Sequence, residues 1–367
     1  MTRIVLLGAA LLIATACSEG GTPVDNAACM LQRRLIADLG NEQDPVSVAV
    51  PYRVDVARLP HVGWIVVEDG RQVISYRPDG RFESLLARRG SGPLELVDPD
   101  RVEVDPTDSL WVSEKRGRVV VFDAEAKPRR MITNPDLLTV EGFTPSGLPF
   151  SIVNRHALRG RGAKKAIEVW TRTGDRVLHV VGPAAFDSLY SAGETAPLPT
   201  PPGSVGLSDT VFLAPGAWHV WVLRWTPHSE DSVVTGRAVW QALKLGDEPD
   251  RFAGFPVAVM SARDDALWIL GAIRRISIKD EERLRRTEAA LRKLEVRDPA
   301  IQLSGAIRNR VYDGVLLHVS ADGTITSSLL FDEFPWGFAS KEHYFTSMET
   351  DNGLIRLQIW QFDRVCA

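Results

Sequence analysis

Residues 63–90 read GWIVVEDGRQVISYRPDGRFESLLARRG and residues 108–133 read DSLWVSEKRGRVVVFDAEAKPRRMIT. Each has an apolar strand, a polar turn of about four residues, a second strand ending in an aromatic, another turn and a third strand. Trp64 to Tyr76 and Trp111 to Phe122 are almost equally spaced, so the two stretches are copies of one unit. Looser copies follow at 147–154 with 166–182, at 209–236, at 265–273 with 314–331, and at 342–365. Six units over roughly 320 residues is about 53 residues each. A twisted sheet of three or four strands cannot bury both faces alone, and stacking such sheets radially solves the problem. The repeats therefore predict an all-β fold, a six-bladed β-propeller.

The N-terminus has different chemistry. MTRIVLLGAALLIATAC carries Arg3, an apolar run from Ile4 to Ala14 and small residues before Cys17. This is the pattern of a signal peptide, and the apolar run is too short to span a bilayer. A polar tether follows from Ser18 to Asp25. Leu31, Leu35, Ile36 and Leu39 then fall at helical spacing, with Asp25 or Asn26 as cap and Gly40 as stop, which predicts a short amphipathic N-terminal helix. The expected division is 1–16 signal peptide, 17–40 tether and helix, and 41–367 propeller. VSVAV at 46–50 is a candidate strand for the last unit.

Ala14-Thr15-Ala16-Cys17 resembles the lipobox of bacterial lipoproteins, with Ala14 where that family usually has Leu. The resemblance implies cleavage before Cys17 and lipidation of its thiol; a plain secretory signal would leave a free thiol instead. Exported proteins live where disulfides persist. Setting Cys17 aside leaves Cys29 and Cys366, whose one intramolecular pairing would join the two ends of the mature chain; the alternative is two buried thiols. Ser18 after the cysteine fits the periplasmic face of an outer membrane, by resemblance to known sorting rules.

Residues 76–132 resemble the NHL-type and related TolB-like six-bladed propeller lipoproteins, in which a D-G hairpin, a G-x-G-P loop, a V-D-P-x-D-x-L-W-V segment and a V-x-V-F-D strand recur in order. Asp79-Gly80, Gly90 to Pro93, Val104 to Val112 and Val119 to Asp123 carry the match, which fades beyond the second unit. It implies the fold and leaves the function open.

Two insertions interrupt the repeats. TAPLPTPPGS at 195–204 reads as a stiff surface connection, with peptide binding as the alternative. KDEERLRRTEAALRKLEVRD at 279–298 predicts a helix with Leu284, Leu291 and Leu294 on one face, inserted in the fifth unit. It would be a cap over the central opening, a docking arm or a decorated loop.

The search for chemistry finds no nucleophile elbow, P-loop, H-E-x-x-H or clustered C-x-x-C. Seven histidines are scattered over different units, and no converging carboxylates are evident for a cation. Arg155, Arg159, Arg161, Lys164 and Lys165 form a basic loop that could hold an anionic glycan or lipid headgroups, or simply be a solvated hairpin tip. Trp218, Trp221 and Trp225 are accounted for by interblade packing. With 43 basic and 47 acidic residues, the chain has no field to attract nucleic acid. The expectation is a monomeric protein anchored to the membrane by its N-terminal lipid. It would have a non-catalytic binding or scaffolding role at the cell envelope, with a protein or small-molecule ligand at one rim and no cofactor or metal. The alternative is an axial divalent-metal hydrolase or lyase of the lactonase-like propeller type.

Overall fold

The computed structural model describes residues 29–366 except 47, 49–53, 69, 91, 93–94, 115–116, 135–138, 154–165, 182–204, 209–210, 216–218, 227–232, 242–253, 263–265, 277–279, 281–282, 285, 288–304, 321–323 and 351–354. The described residues form six four-stranded antiparallel sheets. Strand β1 (Met30–Leu39) stands apart in sequence from its sheet. The first sheet is β2 (Val54–Leu59), β3 (Gly63–Glu68), β4 (Gln72–Tyr76) and β5 (Phe82–Arg88). The second is β6 (Pro99–Val104), β7 (Leu110–Glu114), β8 (Arg118–Phe122) and β9 (Pro128–Thr133). The third is β10 (Gly142–Phe143), β11 (Pro149–Val153), β12 (Ala166–Trp170) and β13 (Arg176–Val181). The fourth is β14 (Val205–Ser208), β15 (Val211–Pro215), β16 (His219–Thr226) and β17 (Val233–Gln241). The fifth is β18 (Gly254–Ser261), β19 (Leu267–Arg274), β20 (Tyr312–Val319) and β21 (Ile325–Phe331), with the short helix α1 (Gly305–Val311) leading into β20. The closing sheet is β22 (Pro335–Ser340), β23 (His343–Glu349), β24 (Ile355–Val365) and, outermost, β1.

The first strand of each sheet meets its counterparts: β22 contacts β2, β2 contacts β6, and β10, β14, β18 and β22 touch in succession. This is the arrangement of a β-propeller, in which first strands surround an axis and later strands lie outward. The repeated aromatics hold the sheets together. Trp64, Trp111, Phe150 and Tyr344 are each the second residue of a sheet's second strand, and all four are buried. Tyr76, Phe122 and Trp170 end the third strands of the first three sheets and are buried as well.

The short polar turns have a specific basis. Asp105 Oδ1 accepts from Thr107 N (2.8 Å), Thr107 Oγ1 (2.6 Å) and Ser109 N (2.9 Å), while Oδ2 accepts from the Trp111 indole (3.2 Å). One buried carboxylate thus closes the turn and fixes the aromatic that follows, which explains the D-P-T-D-S-L-W spacing. In the third sheet Thr144 Oγ1 does part of this work, accepting from Leu148 N at 3.1 Å. Gly80, at φ +90°, turns the β4–β5 hairpin so closely against β1 that a Cβ would lie 2.8 Å from the Asp38 carbonyl oxygen.

One expectation needs correction. Residues 30–39 are a strand, not a helix: β1 pairs with β24 over nine rungs, from Met30↔Val365 to Leu39↔Leu357. A bulge at Ile36 shifts the register, so Leu31 packs toward the fifth sheet while Ala37 and Leu39 pack toward the first. That break in alternation made a strand look helical, and a ten-residue helix has little stability of its own against nine ladder pairs. The segment 46–50 supplies only a bridge from Val48 to Ile355 among its described residues. The insertion at 279–298 lies mostly outside the described residues, so the expected helix is not seen as a whole. Of its span, Asp280, Arg283, Leu284, Arg286 and Thr287 are described with helical backbone, and Leu284 packs on the core between the first, fifth and closing sheets.

Candidate axial site

The first strand of each sheet has no strand on its axial side, so alternate N–H groups there need other partners. Asp55 on β2 meets this need: Oδ2 accepts from Val102 N of β6 and Oδ1 from Val56 N, both at 3.0 Å. The carboxylate therefore ties the first sheet to the second. On β6, Arg101 donates through Nη1 to Glu141 Oε2, just before β10, forming an ion pair between the second and third sheets. Asp100 and Glu103 lie on the same strand as Arg101, and Thr139 Oγ1 reaches Asp100 Oδ2 at 3.5 Å. Three successive sheets thus bring Asp55, Arg101, Glu103 and Glu141 together near the axis.

Electrostatics distinguishes these groups. Burial pushes the Asp55 carboxyl up, against the pull of Arg101 and its two backbone donors. Burial pushes Glu141 up too, opposed by Arg101. Glu103 goes well above the ordinary range, first through burial and then through the charge of Asp55. For Arg101 burial works against the charge, yet Glu141, Asp55, Asp100 and Glu103 together raise its pKa, so the guanidinium stays cationic. Arg101 is largely buried, its side chain 11% exposed, and Glu103 is half-buried.

The donor set does not fit a divalent cation. Both Asp55 oxygens accept backbone N–H groups, Glu141 is held by Arg101, and a positive charge already sits among the carboxylates. No group of three His, Cys, Asp or Glu among the described residues has an arrangement that could hold a metal ion.

A second polar constellation lies where the closing sheet meets the first. The buried His343 ring has Nδ1 2.6 Å from Ser340 Oγ, Nε2 3.3 Å from Arg58 Nη1, and the Trp64 ring edge-on at 5.2 Å. Burial and then Arg58 lower its pKa to about 4. Further out, Arg33 of β1 donates to Glu333 (2.8 Å) and to the Tyr344 hydroxyl (3.3 Å), and stacks on Trp360 at 4.1 Å. His318 bonds Thr326 Oγ1 at 2.6 Å and packs on Trp268. His318 and His343, the strand histidines whose side chains are described, are thus held in structural contacts.

Of the residues singled out from sequence, Cys29 and Cys366 form a disulfide across 337 positions. Cys17 lies outside the described residues, as do Arg155, Arg159, Arg161, Lys164, Lys165, the segment 195–204 and Trp218. Asp55, Arg101, Glu103 and Glu141 were missed. Their trace in the sequence is a charge inside an apolar strand, as in V-D-V and R-V-E-V, where a solvent-facing residue is the ordinary reading. No helix among the described residues is long and apolar enough to cross a membrane.

No protein-family description matches the chain, and no curated protein is significantly similar to it. Solved structures share its architecture. A gluconolactonase from Xanthomonas campestris superposes with a TM-score of 0.50 at 12% identity, covering 94% of this chain and 93% of that one. A member of the DUF4221 family from Bacteroides vulgatus gives 0.49 at 8% identity, covering 92% and 99%. At such identities the likeness concerns the fold alone, and the class it defines is the β-propeller.

Proposed function

We propose that the chain is an exported, lipid-anchored, six-bladed β-propeller that binds a protein or small-molecule ligand without catalysing a reaction. Six sheets of one topology support the blade count. The observation that carries the binding reading is Arg101: it pairs with Glu141, and both Asp55 oxygens accept backbone N–H groups, so these two axial carboxylates are not left open as oxygen ligands. Asp55, Arg101 and Glu103 are not fully buried, which leaves a ligand some polar surface to recognise at that end of the axis.

The second reading is an axial divalent-metal hydrolase or lyase of the lactonase-like type. Its support is the mutual electrostatic interaction of Asp55, Glu103 and Glu141 from three sheets, with Arg101 standing where a cation would. Metal analysis of the purified, dialysed protein separates the two. A stoichiometric divalent ion, or metal-dependent hydrolysis of aldonolactones, would overturn the non-catalytic reading; absence of both supports it. Mass spectrometry of the native N-terminus tests the anchor, and an unmodified Cys17 would remove it.

A further inference from the structure

The N-terminal tether enters the fold at one end of β1, and the first rung of the β1–β24 ladder is Met30↔Val365. The Cys29–Cys366 bond lies immediately outside that rung. β1 is the outermost strand of its sheet, paired on one side only. Without the bond, a pull on residue 28 would load its rungs one at a time, starting at Met30. Each rung would yield separately, because one ladder hydrogen bond adds little net stability by itself. We propose that the disulfide is a mechanical stop that keeps a pull on the tether from peeling β1 out of the propeller. The membrane as the source of that pull rests on the lipid-anchor reading; the stop itself does not.

With the bond in place, the load on Cys29 passes to Cys366 and β24, so the two strands can leave only together. β24 is paired on its other side with β23 over seven rungs, from His343↔Gln361 to Glu349↔Ile355. The end of the two-stranded ribbon beyond that ladder is anchored by packing. Leu31 and Phe362 are buried with Phe331 and Tyr344 against the fifth sheet, and Arg33 is held by Glu333. Peeling one edge strand becomes cooperative disruption of a sheet seam. Loss of β1 alone would remove Ala37 and Leu39 from the core shared with the first sheet and expose a bare β24 edge.

Pulling the full mature chain in an optical trap tests this. One handle is placed at the N-terminus and the other at position 125, an exposed turn of the second sheet, through a clickable residue replacing Glu125. After reduction, or in the Cys29→Ser/Cys366→Ser variant, an early step should appear below the force of the oxidised chain's first event. It should release residues 29–53, about 9 nm at ~3.5 Å per residue. The oxidised chain should show no such step. The same early step at the same force in both states would overturn the proposal. Lipid analysis of Cys17 is a separate result: an unmodified Cys17 removes the bilayer as the source of the pull and leaves the force measurement to decide the stop.

Discussion

Acidification from pH 7 to pH 4 should weaken the seam between the closing and first sheets through one side chain, His343. Its ring is buried, and Arg58, which can only donate, faces Nε2 at 3.3 Å, so that nitrogen must be an unprotonated acceptor. The Nδ1 proton then goes to Ser340 Oγ. A proton on Nε2 would set two donors against each other in a poorly hydrated space. Burial, followed by the Arg58 charge, lowers the pKa from 6.5 to about 4. The unfolded chain thus takes up a proton near pH 6.5 that the folded chain refuses until about pH 4. The stabilisation is complete above 6.5 and is lost as pH falls through that window. At about 1.4 kcal/mol per pH unit the ceiling is about 3 kcal/mol, and solvent screening around the ring brings it to roughly 2 kcal/mol. Urea unfolding of the parent and of His343→Gln, measured across pH 4 to 7.5, reads this directly, because the carboxylates shared by both chains cancel in the difference. The stability advantage of the parent should shrink by roughly 2 kcal/mol on acidification. Parallel curves with a constant offset would refute the reasoning.

Arg101→Met should destabilise the fold by about 3 to 5 kcal/mol in chemical denaturation, since it leaves Glu141 and Asp55 without their cation. Glu103→Gln should do the opposite at neutral pH. A carboxyl whose folded pKa is raised stabilises the fold below its unfolded value and loses that contribution as pH rises, so the variant's melting temperature should exceed the parent's more at pH 8 than at pH 5; an equal gap at both would contradict it. Asp105→Ala removes four hydrogen bonds, including that to Trp111, and should cost about 3 to 4 kcal/mol, with a change in tryptophan fluorescence as the local readout. Breaking Cys29–Cys366 removes a chain-entropy restraint of at most about 5 to 6 kcal/mol for a 337-residue separation, or a fall of up to about 8 °C in calorimetry. Two titratable thiols in unreduced protein would deny that bond in solution.

Much of this architecture was legible because it is written in local chemistry. Strand alternation, aromatics at the second residue of β3 and β7, and turn residues such as Asp105 and Gly80 act over a few positions, and each repeat states them again. Counting cysteines was enough to suggest the ring's clasp once one was assigned to the anchor. The N-terminal segment shows the opposite. Leu31, Leu35, Ile36 and Leu39 satisfy helical spacing as well as a bulged strand does, and only the open edge of β24, more than three hundred residues away, selects the strand.

The axial site was illegible for a related reason. Asp55 and Arg101 are 46 residues apart and Arg101 and Glu141 are 40 apart, and among its own sequence neighbours each looks like an ordinary solvent-facing residue. By itself, the sequence determined the repeating sheets, their turns and the cysteine pair, because those follow from neighbours along the chain. The tertiary structure alone decided that β1 closes the last sheet and that one arginine meets carboxylates from three sheets, because ring closure sets distances that no local pattern encodes.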